Sequence, residues 1–77
     1  MQKSLSDLSP GQQGKIVKIE TEDIQIALMK LGVLPGDICK VSDIAPFGDP
    51  MAISINRTKV SLRKKDAASV WIELSQP

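Results

Sequence analysis

Hydrophobic and polar residues alternate along several short stretches of the chain, which is the pattern of half-buried β-strands. The clearest stretch is 51–56, where Met51, Ile53 and Ile55 are separated by small or polar residues. Shorter stretches rich in β-branched residues suit a pleated surface and predict further strands at 15–19, 38–45, 60–62 and 70–74. The pattern therefore predicts about five short strands.

One segment has helical rather than strand periodicity. Thr21 is the expected N-cap, and the two acids after it lie where the helix dipole favours negative charge. The helix is predicted to bury one face, formed by residues spaced i, i+3, i+4 and i+7: Ile24, Ala27, Leu28 and Leu31. A second, shorter helical turn is predicted at 63–68.

Turn residues stand where these elements end. Gly32 suits the left-handed position after the helix, because glycine has no Cβ to clash. Pro35 and Gly36 suit the two central positions of a type II turn that leads into the next strand. A further loop, in which Asp49 is expected to bond its own backbone, is predicted at three successive residues: Gly48, Asp49 and Pro50. The alternative for this segment is a contact with a partner.

Short antiparallel strands with one helix after the first predict a small all-β fold. A sheet this short leaves open edges unless it curls, so we expect an SH3-like barrel of about five antiparallel strands with one short inserted helix. The 77 residues are expected to form one domain, 1–77, with a core at about 5–74. The single cysteine, Cys39, fits a reducing compartment, and we expect a cytoplasmic protein.

The residue inventory argues against catalysis and against a tight metal site. The chain has no histidine, and Cys39 has no second cysteine to share a metal. Asp37, Asp43 and Asp49 are separated without metal-ligand spacing. We therefore expect no catalytic residue, no cofactor and no bound metal, and an enzyme is disfavoured for want of a base or an activated nucleophile.

The net charge of +1 hides a local excess of positive charge late in the chain. The residues concerned are Arg57, Lys59, Arg63, Lys64 and Lys65. Five cations could bind phosphate, but interleaved aromatic residues are missing, and no nucleic-acid partner is expected. Two interpretations stay open, a solvated surface and a contact with an acidic patch on a protein partner.

Three segments resemble motifs of the FeoA family, in the family's order and spacing. Residues 31–36 are similar to its Leu-Gly-hydrophobic-x-Pro-Gly motif, 45–50 to its Ala-Pro-x-Gly-Asp-Pro segment, and 60–67 to its strand ending in Leu-Arg-Lys. Residues 8–14 match its Leu-x-Pro-Gly opening. One position departs from the family pattern, since Ala27 stands where many members carry a basic residue.

The resemblance implies an SH3-like fold and a cytosolic accessory role in bacterial ferrous iron uptake. The expected partner is the membrane transporter FeoB, which would recruit the chain to the inner face of the membrane. The alternative implied by the same fold is a stand-alone sensing or regulatory domain, related to the C-terminal domain of iron-dependent repressors.

A candidate contact lies on the predicted helix. Ile26 and Met29 point away from the predicted buried face, where a helix on a small barrel normally carries polar residues. We expect them, together with Val33, to form an exposed apolar contact for FeoB or for a weakly associated second copy. The alternative, that a neighbouring loop covers them, stays open. The expected contact residues are thus Ile26, Met29 and Val33, with the cations Arg57, Arg63, Lys64 and Lys65.

Overall fold

The computed structural model describes residues 1–74. In chain order the elements are β1 (Gln2–Ser4), a 3-10 turn (Leu5–Asp7), β2 (Gln13–Ile19), α1 (Glu22–Lys30), β3 (Ile38–Ile44), β4 (Met51–Ile55), β5 (Thr58–Leu62), α2 (Lys64–Ala67) and β6 (Val70–Leu74). The strands form one six-stranded antiparallel sheet with the order β1-β6-β2-β3-β4-β5. This is an all-β architecture with an inserted helix, as predicted, but with one strand more.

Two irregularities bend the sheet around a single core. The pairing register shifts in β2 between Ile16 and Lys18, and in β3 between Val41 and Asp43. A bulge adds a residue to one strand, which bends that strand and increases its twist. The bent sheet gives a molecule of 27 × 27 × 22 Å.

The inner face of the sheet carries the core. The alternation predicted for β4 is present, since Met51, Ile53 and Ile55 are buried while Ala52 and Ser54 lie on the outer face. The other buried apolar residues are Leu5, Leu8, Ile16, Ile19, Leu28, Val33, Cys39, Val41, Val60, Ala67, Val70 and Ile72. The core therefore draws on both helices and on strands from the whole sheet.

The N-terminal segment forms elements that the sequence pattern did not predict. β1 pairs with β6, and both Leu5 in the 3-10 turn and Leu8 directly after it are buried in the core. The buried hydroxyl of Ser4 donates to the carbonyl of Ala68, 3.1 Å away, and so ties this segment to the end of α2. A strand and a 3-10 turn of three residues each are too short to show a period, which is why they were missed.

Helix α1 buries a narrower face than its spacing predicts. Leu28 is buried and Ile24 packs against the core, but Ala27 and Leu31 are exposed. The prediction of a four-residue face was wrong at those two positions. The helix has nine residues and lies on the sheet along one row of side chains, and Leu31 is already its C-cap.

Candidate partner-binding surfaces

The end of α1 is a Schellman motif that sends neighbouring apolar residues in opposite directions. The N–H of Gly32 donates to the carbonyl of Met29, and the N–H of Val33 donates to the carbonyl of Leu28, both at 2.9 Å. Gly32 has φ +84°, the left-handed geometry this motif requires. The motif places Val33 against Leu28, and both side chains are 2% exposed. The expectation that Val33 belongs to an exposed contact is therefore wrong.

The turn after the helix is held from both sides. The N–H of Asp37 donates to the carbonyl of Leu34 at 3.1 Å across Pro35 and Gly36, and Gly36 has φ +102°, as a type II turn needs. The N–H of Gly36 donates to the carbonyl of Ile16 in β2, 2.7 Å away. These bonds fix the segment between α1 and β3 to the sheet.

The Asp37 side chain fastens the same turn to a second hairpin. Its Oδ2 accepts the N–H of Leu34 at 2.9 Å and the Nδ2–H of Asn56 at 3.2 Å. Asn56 belongs to the tight turn between β4 and β5. The segment is thus presented on a fixed frame rather than on a free loop.

An exposed apolar surface follows this frame from the middle of α1 to the start of β3. Its five large side chains are 38–55% exposed, and they are Ile26, Met29, Leu31, Leu34 and Ile38. Within residues 1–74 no segment covers Ile26 or Met29, so the alternative that a neighbouring loop buries them does not hold for this part of the chain. Sequence reasoning missed Leu31, because it was assigned to the buried face. It also missed Leu34 and Ile38, although the prolyl turn between them is a signal for an exposed position.

The five cations late in the chain lie along one edge of the sheet. We call residues 57–65, which carry them, the basic segment. Arg57 sits in the two-residue turn before β5, where both turn residues have positive φ. Lys59 lies in β5, and Arg63, Lys64 and Lys65 follow it into α2. All five are exposed, and the ion pairs found in residues 1–74, Met1–Glu73 and Lys18–Glu20, involve none of them.

The loop between β3 and β4 is ordered by its own bonds. The N–H of Gly48 donates to the carbonyl of Ala45 at 2.7 Å, and Phe47 at its tip is 98% exposed. Asp49 does not bond its own backbone as expected, because its Oδ1 accepts the N–H of Lys64 at 2.8 Å. Asp49 thereby takes the place of a cap at the start of α2, whose N-cap residue Arg63 makes no side-chain cap bond.

The buried thiol and the carboxylates are the remaining groups that could carry site chemistry. Cys39 is fully buried in β3, and this burial raises the pKa of its thiol to about 11. Within residues 1–74, no three Cys, Asp or Glu side chains come together as a metal-binding group. The helices of the same region are too short and too polar for any of them to span a bilayer.

These features define a small all-β domain whose distinctive surfaces are an exposed apolar patch and a basic edge. The family model of the FeoA domain matches residues 3–74. This chain therefore belongs to the FeoA family.

A curated relative supports the same assignment. It is the Fe(2+) transport protein A/Fe(2+) transporter FeoB fusion protein of Porphyromonas gingivalis, 35% identical over 71 residues. The match covers 91% of this chain but 8% of the fusion protein. The chain thus corresponds to one small domain of that relative.

Solved structures with lower identity share the fold. FeoA of Stenotrophomonas maltophilia, solved in complex with zinc and described as an SH3 domain protein, has a TM-score of 0.79 at 21% identity, over 92% of this chain and 89% of that one. A manganese-dependent transcriptional repressor has a TM-score of 0.86 at 16% identity, over 96% of this chain and 37% of that one. The SH3-like fold predicted from the sequence is confirmed.

Proposed function

We propose that this chain is a cytoplasmic accessory protein of bacterial ferrous iron uptake that acts by binding the FeoB transporter. The observation that carries the proposal is the Porphyromonas gingivalis relative, in which a matching domain and FeoB form one polypeptide. A covalent link keeps two modules at a high effective concentration. Such a link is useful when the two modules bind each other.

The exposed apolar surface is the proposed contact. Its side chains stand on α1, on a turn that backbone hydrogen bonds hold to β2, and on the first residue of β3, so little ordering is needed when a partner covers them. Large apolar side chains grouped on an otherwise polar surface are typical of a protein interface. Ile26 and Met29 lie on α1 within this surface, and Val33 no longer belongs to the proposed contact.

The basic segment would act before contact is made. Arg57, Arg63, Lys64 and Lys65 attract acidic groups on a partner over a distance, which raises the association rate more than the final affinity. Binding energy gained at the two surfaces would favour one conformation of the transporter, without any chemistry performed by this chain. Recruitment to the inner face of the membrane follows from the same contact, and weak self-association would use the same apolar surface.

A binding measurement with the FeoB of the same organism tests the proposal. We expect full-length FeoB in detergent or nanodiscs to bind the labelled chain, and we expect the double variant Ile26→Ser/Met29→Ser to bind at least about tenfold more weakly. Both side chains are exposed, so the variant should fold. Circular dichroism and the unfolding midpoint verify this.

Phe47→Ser is the matched control. It removes a still more exposed apolar side chain, in the loop that follows β3, and β3 itself spans about 20 Å from Ile38 to Ile44. The control should bind FeoB like the unaltered chain. Equal losses in both variants would refute the assigned surface, and no binding of the unaltered, folded chain would refute the proposed function.

The alternative function, a stand-alone sensing domain, has the shared fold of the repressor in its favour. A sensing domain must change its behaviour when a metal binds. Titration of the folded chain with Fe(II) or Mn(II), followed by NMR, separates the two proposals. Saturable shifts at submillimolar metal would favour sensing, and FeoB binding that is independent of metal would favour the accessory role.

A further inference from the structure

We propose that the free edge of β5 binds an extended, acidic segment of a partner protein as an added strand. Strand addition uses the backbone of an exposed sheet edge for affinity and the neighbouring side chains for selectivity. β5 is the last strand of the sheet, and within residues 1–74 it pairs with β4 alone.

The hairpin geometry identifies which backbone groups of β5 are free. A two-residue turn joins β4 to β5, and such a turn is closed by a hydrogen-bonded pair, here Ile55 and Thr58. Bonded and non-bonded pairs alternate along an antiparallel ladder. Ile53 and Val60 are therefore bonded to each other, whereas Lys59 directs its N–H and C=O away from β4.

The opposite side of β4 supports this assignment independently. Val41 of β3 lies across from Ile53. The N–H of Val41 donates to the carbonyl of Gln12 at 3.0 Å, and its carbonyl accepts the N–H of Gly11 at 2.8 Å. Both backbone groups of Val41 thus point away from β4. The backbone N–H and C=O of Ile53 must then face β5, which agrees with the hairpin geometry.

Two residues of β5 consequently present free backbone groups. The N–H and C=O of Lys59 and Ser61 face away from β4, both residues are exposed, and neither bonds any group among residues 1–74. Four outward groups on alternate residues match the spacing of an added strand. Lys59 and Ser61 are exposed, and Asp49 of the β3–β4 loop bonds the chain at Lys64, beyond the end of β5.

The positive charge along the edge of β5 indicates that the added strand is acidic. The basic segment places a cation before β5, one within it and three after it, and none of the five is in an ion pair within residues 1–74. A second copy of β5 would place these cations opposite the same cations of the first copy, and like charges across a strand pair are unfavourable. A segment with acidic side chains would instead pair with Lys59 across the new ladder and with Arg57 and Arg63 at its ends.

This inference rests on the proposed function, because both assume that the chain binds a protein partner. Strand addition at β5 uses different residues from the apolar surface. Ile26 and Met29 lie on α1, whereas Lys59 and Ser61 lie on the edge strand. One partner could therefore engage both surfaces. Either surface can also be tested while the other is intact.

The experiment is an NMR titration of the labelled chain with an acetylated and amidated heptapeptide of alternating Glu and Val. We expect the largest amide shifts in β5 and α2. We also expect amide exchange at Lys59 and Ser61 to slow at least about tenfold at saturation, because these two N–H groups gain acceptors. The counterpart peptide of alternating Lys and Val should not bind.

Two variants at one position separate strand addition from simple charge attraction. Ser61→Pro removes an outward N–H that the fold does not use, and proline is tolerated on edge strands. It should weaken peptide binding at least about tenfold, whereas Ser61→Ala, which keeps the N–H, should bind within about twofold of the unaltered chain. If Ser61→Pro does not fold, the amide-exchange result in the unaltered chain decides.

Three results would overturn the proposal. They are equal peptide affinity in Ser61→Pro and Ser61→Ala, unchanged exchange at Lys59 and Ser61, and the same protection on addition of oligothymidylate or phosphatidylglycerol vesicles. In each case the proposed function would still be supported if the unaltered chain binds FeoB and the Ile26→Ser/Met29→Ser variant does not. The two ideas can therefore fail separately.

Discussion

Cys39 is completely buried, and its burial shifts the pKa of its thiol upward. Its side chain lies on the inner face of β3, where water cannot stabilise a thiolate, and desolvation raises its pKa from 9.0 to about 11. The thiol therefore stays protonated at neutral pH and is a poor nucleophile there. Cys39 acts in this fold as a small apolar core residue.

Burial of Cys39 predicts a loss of stability at alkaline pH. Because the folded pKa of about 11 lies above the unfolded value of 9.0, the folded state keeps a proton that the unfolded state releases between these values. The free energy of unfolding should be unaffected by this group below about pH 9. It should fall by up to about 1.4 kcal/mol per pH unit between about 9 and 11.

Urea denaturation of the unaltered chain and of Cys39→Ala, at several pH values from about 8 to 10.5, measures this effect. The variant is less stable near pH 8, because it loses core packing. Its stability should decline less steeply with pH, since other groups titrate equally in both proteins. Parallel declines would contradict the prediction.

Gly14 is required by close packing between β2 and β6. A Cβ at this position would lie against the backbone carbonyl of Glu73 and 2.5 Å from Cγ2 of Ile72. We expect Gly14→Ala to lower the free energy of unfolding by about 3 kcal/mol, because two central strands must separate. Ser54→Ala, a change on the outer face of β4, should alter it by less than about 0.5 kcal/mol. Chemical denaturation compares the two, and similar effects would refute the packing argument.

At the scale of elements, α2 depends on a residue distant in sequence. The helix has four residues, too few to be stable alone, and Asp49 accepts the N–H of Lys64 at its first turn. The same bond joins the loop carrying Phe47 to the end of β5. One carboxylate thus connects a loop, a strand end and a helix.

Removal of this cap should be measurable. We expect Asp49→Ala to lower the free energy of unfolding by about 1 kcal/mol, the usual value of a lost N-terminal cap. Asp49→Asn keeps an acceptor oxygen and should lose less than half of that. Thermal or urea unfolding of the three proteins tests the order. Equal losses in both variants would show that charge, rather than the hydrogen bond, is what matters.

At the scale of the whole molecule, charge is separated although the total is small. Half of the 10 cations lie in the basic segment, while the net charge is +1. Exposed charges act over roughly 10 Å at moderate ionic strength, so the basic edge exerts a local field despite the near-neutral total.

This separation predicts the kinetics of partner binding. Arg57→Gln/Arg63→Gln should slow association with FeoB several-fold at low salt and change the dissociation rate by a smaller factor. The difference should vanish near about 0.5 M salt, because screening removes long-range attraction. Lys18→Gln, which removes a cation near Glu20, is the control. Surface plasmon resonance gives both rates, and a change confined to dissociation would contradict steering.

Local signals determined much of this protein from the sequence alone. The bounds of α1, the turn at Pro35 and Gly36, and the alternation in β4 follow from periodicity and turn chemistry within a few residues of each position. Such features depend on neighbours in the chain, so one sequence is enough to predict them. The apolar character of Ile26 and Met29 was also visible at this level.

Tertiary structure alone decided which residues are covered and which are free. Val33 turns inward and Leu31 outward because of how the end of α1 meets the sheet, and Asp49 finds its donor 15 residues away. The free backbone groups of Lys59 depend on β5 being the last strand in the sheet. Strand order is set by pairing between distant segments, which periodicity along the chain cannot reveal.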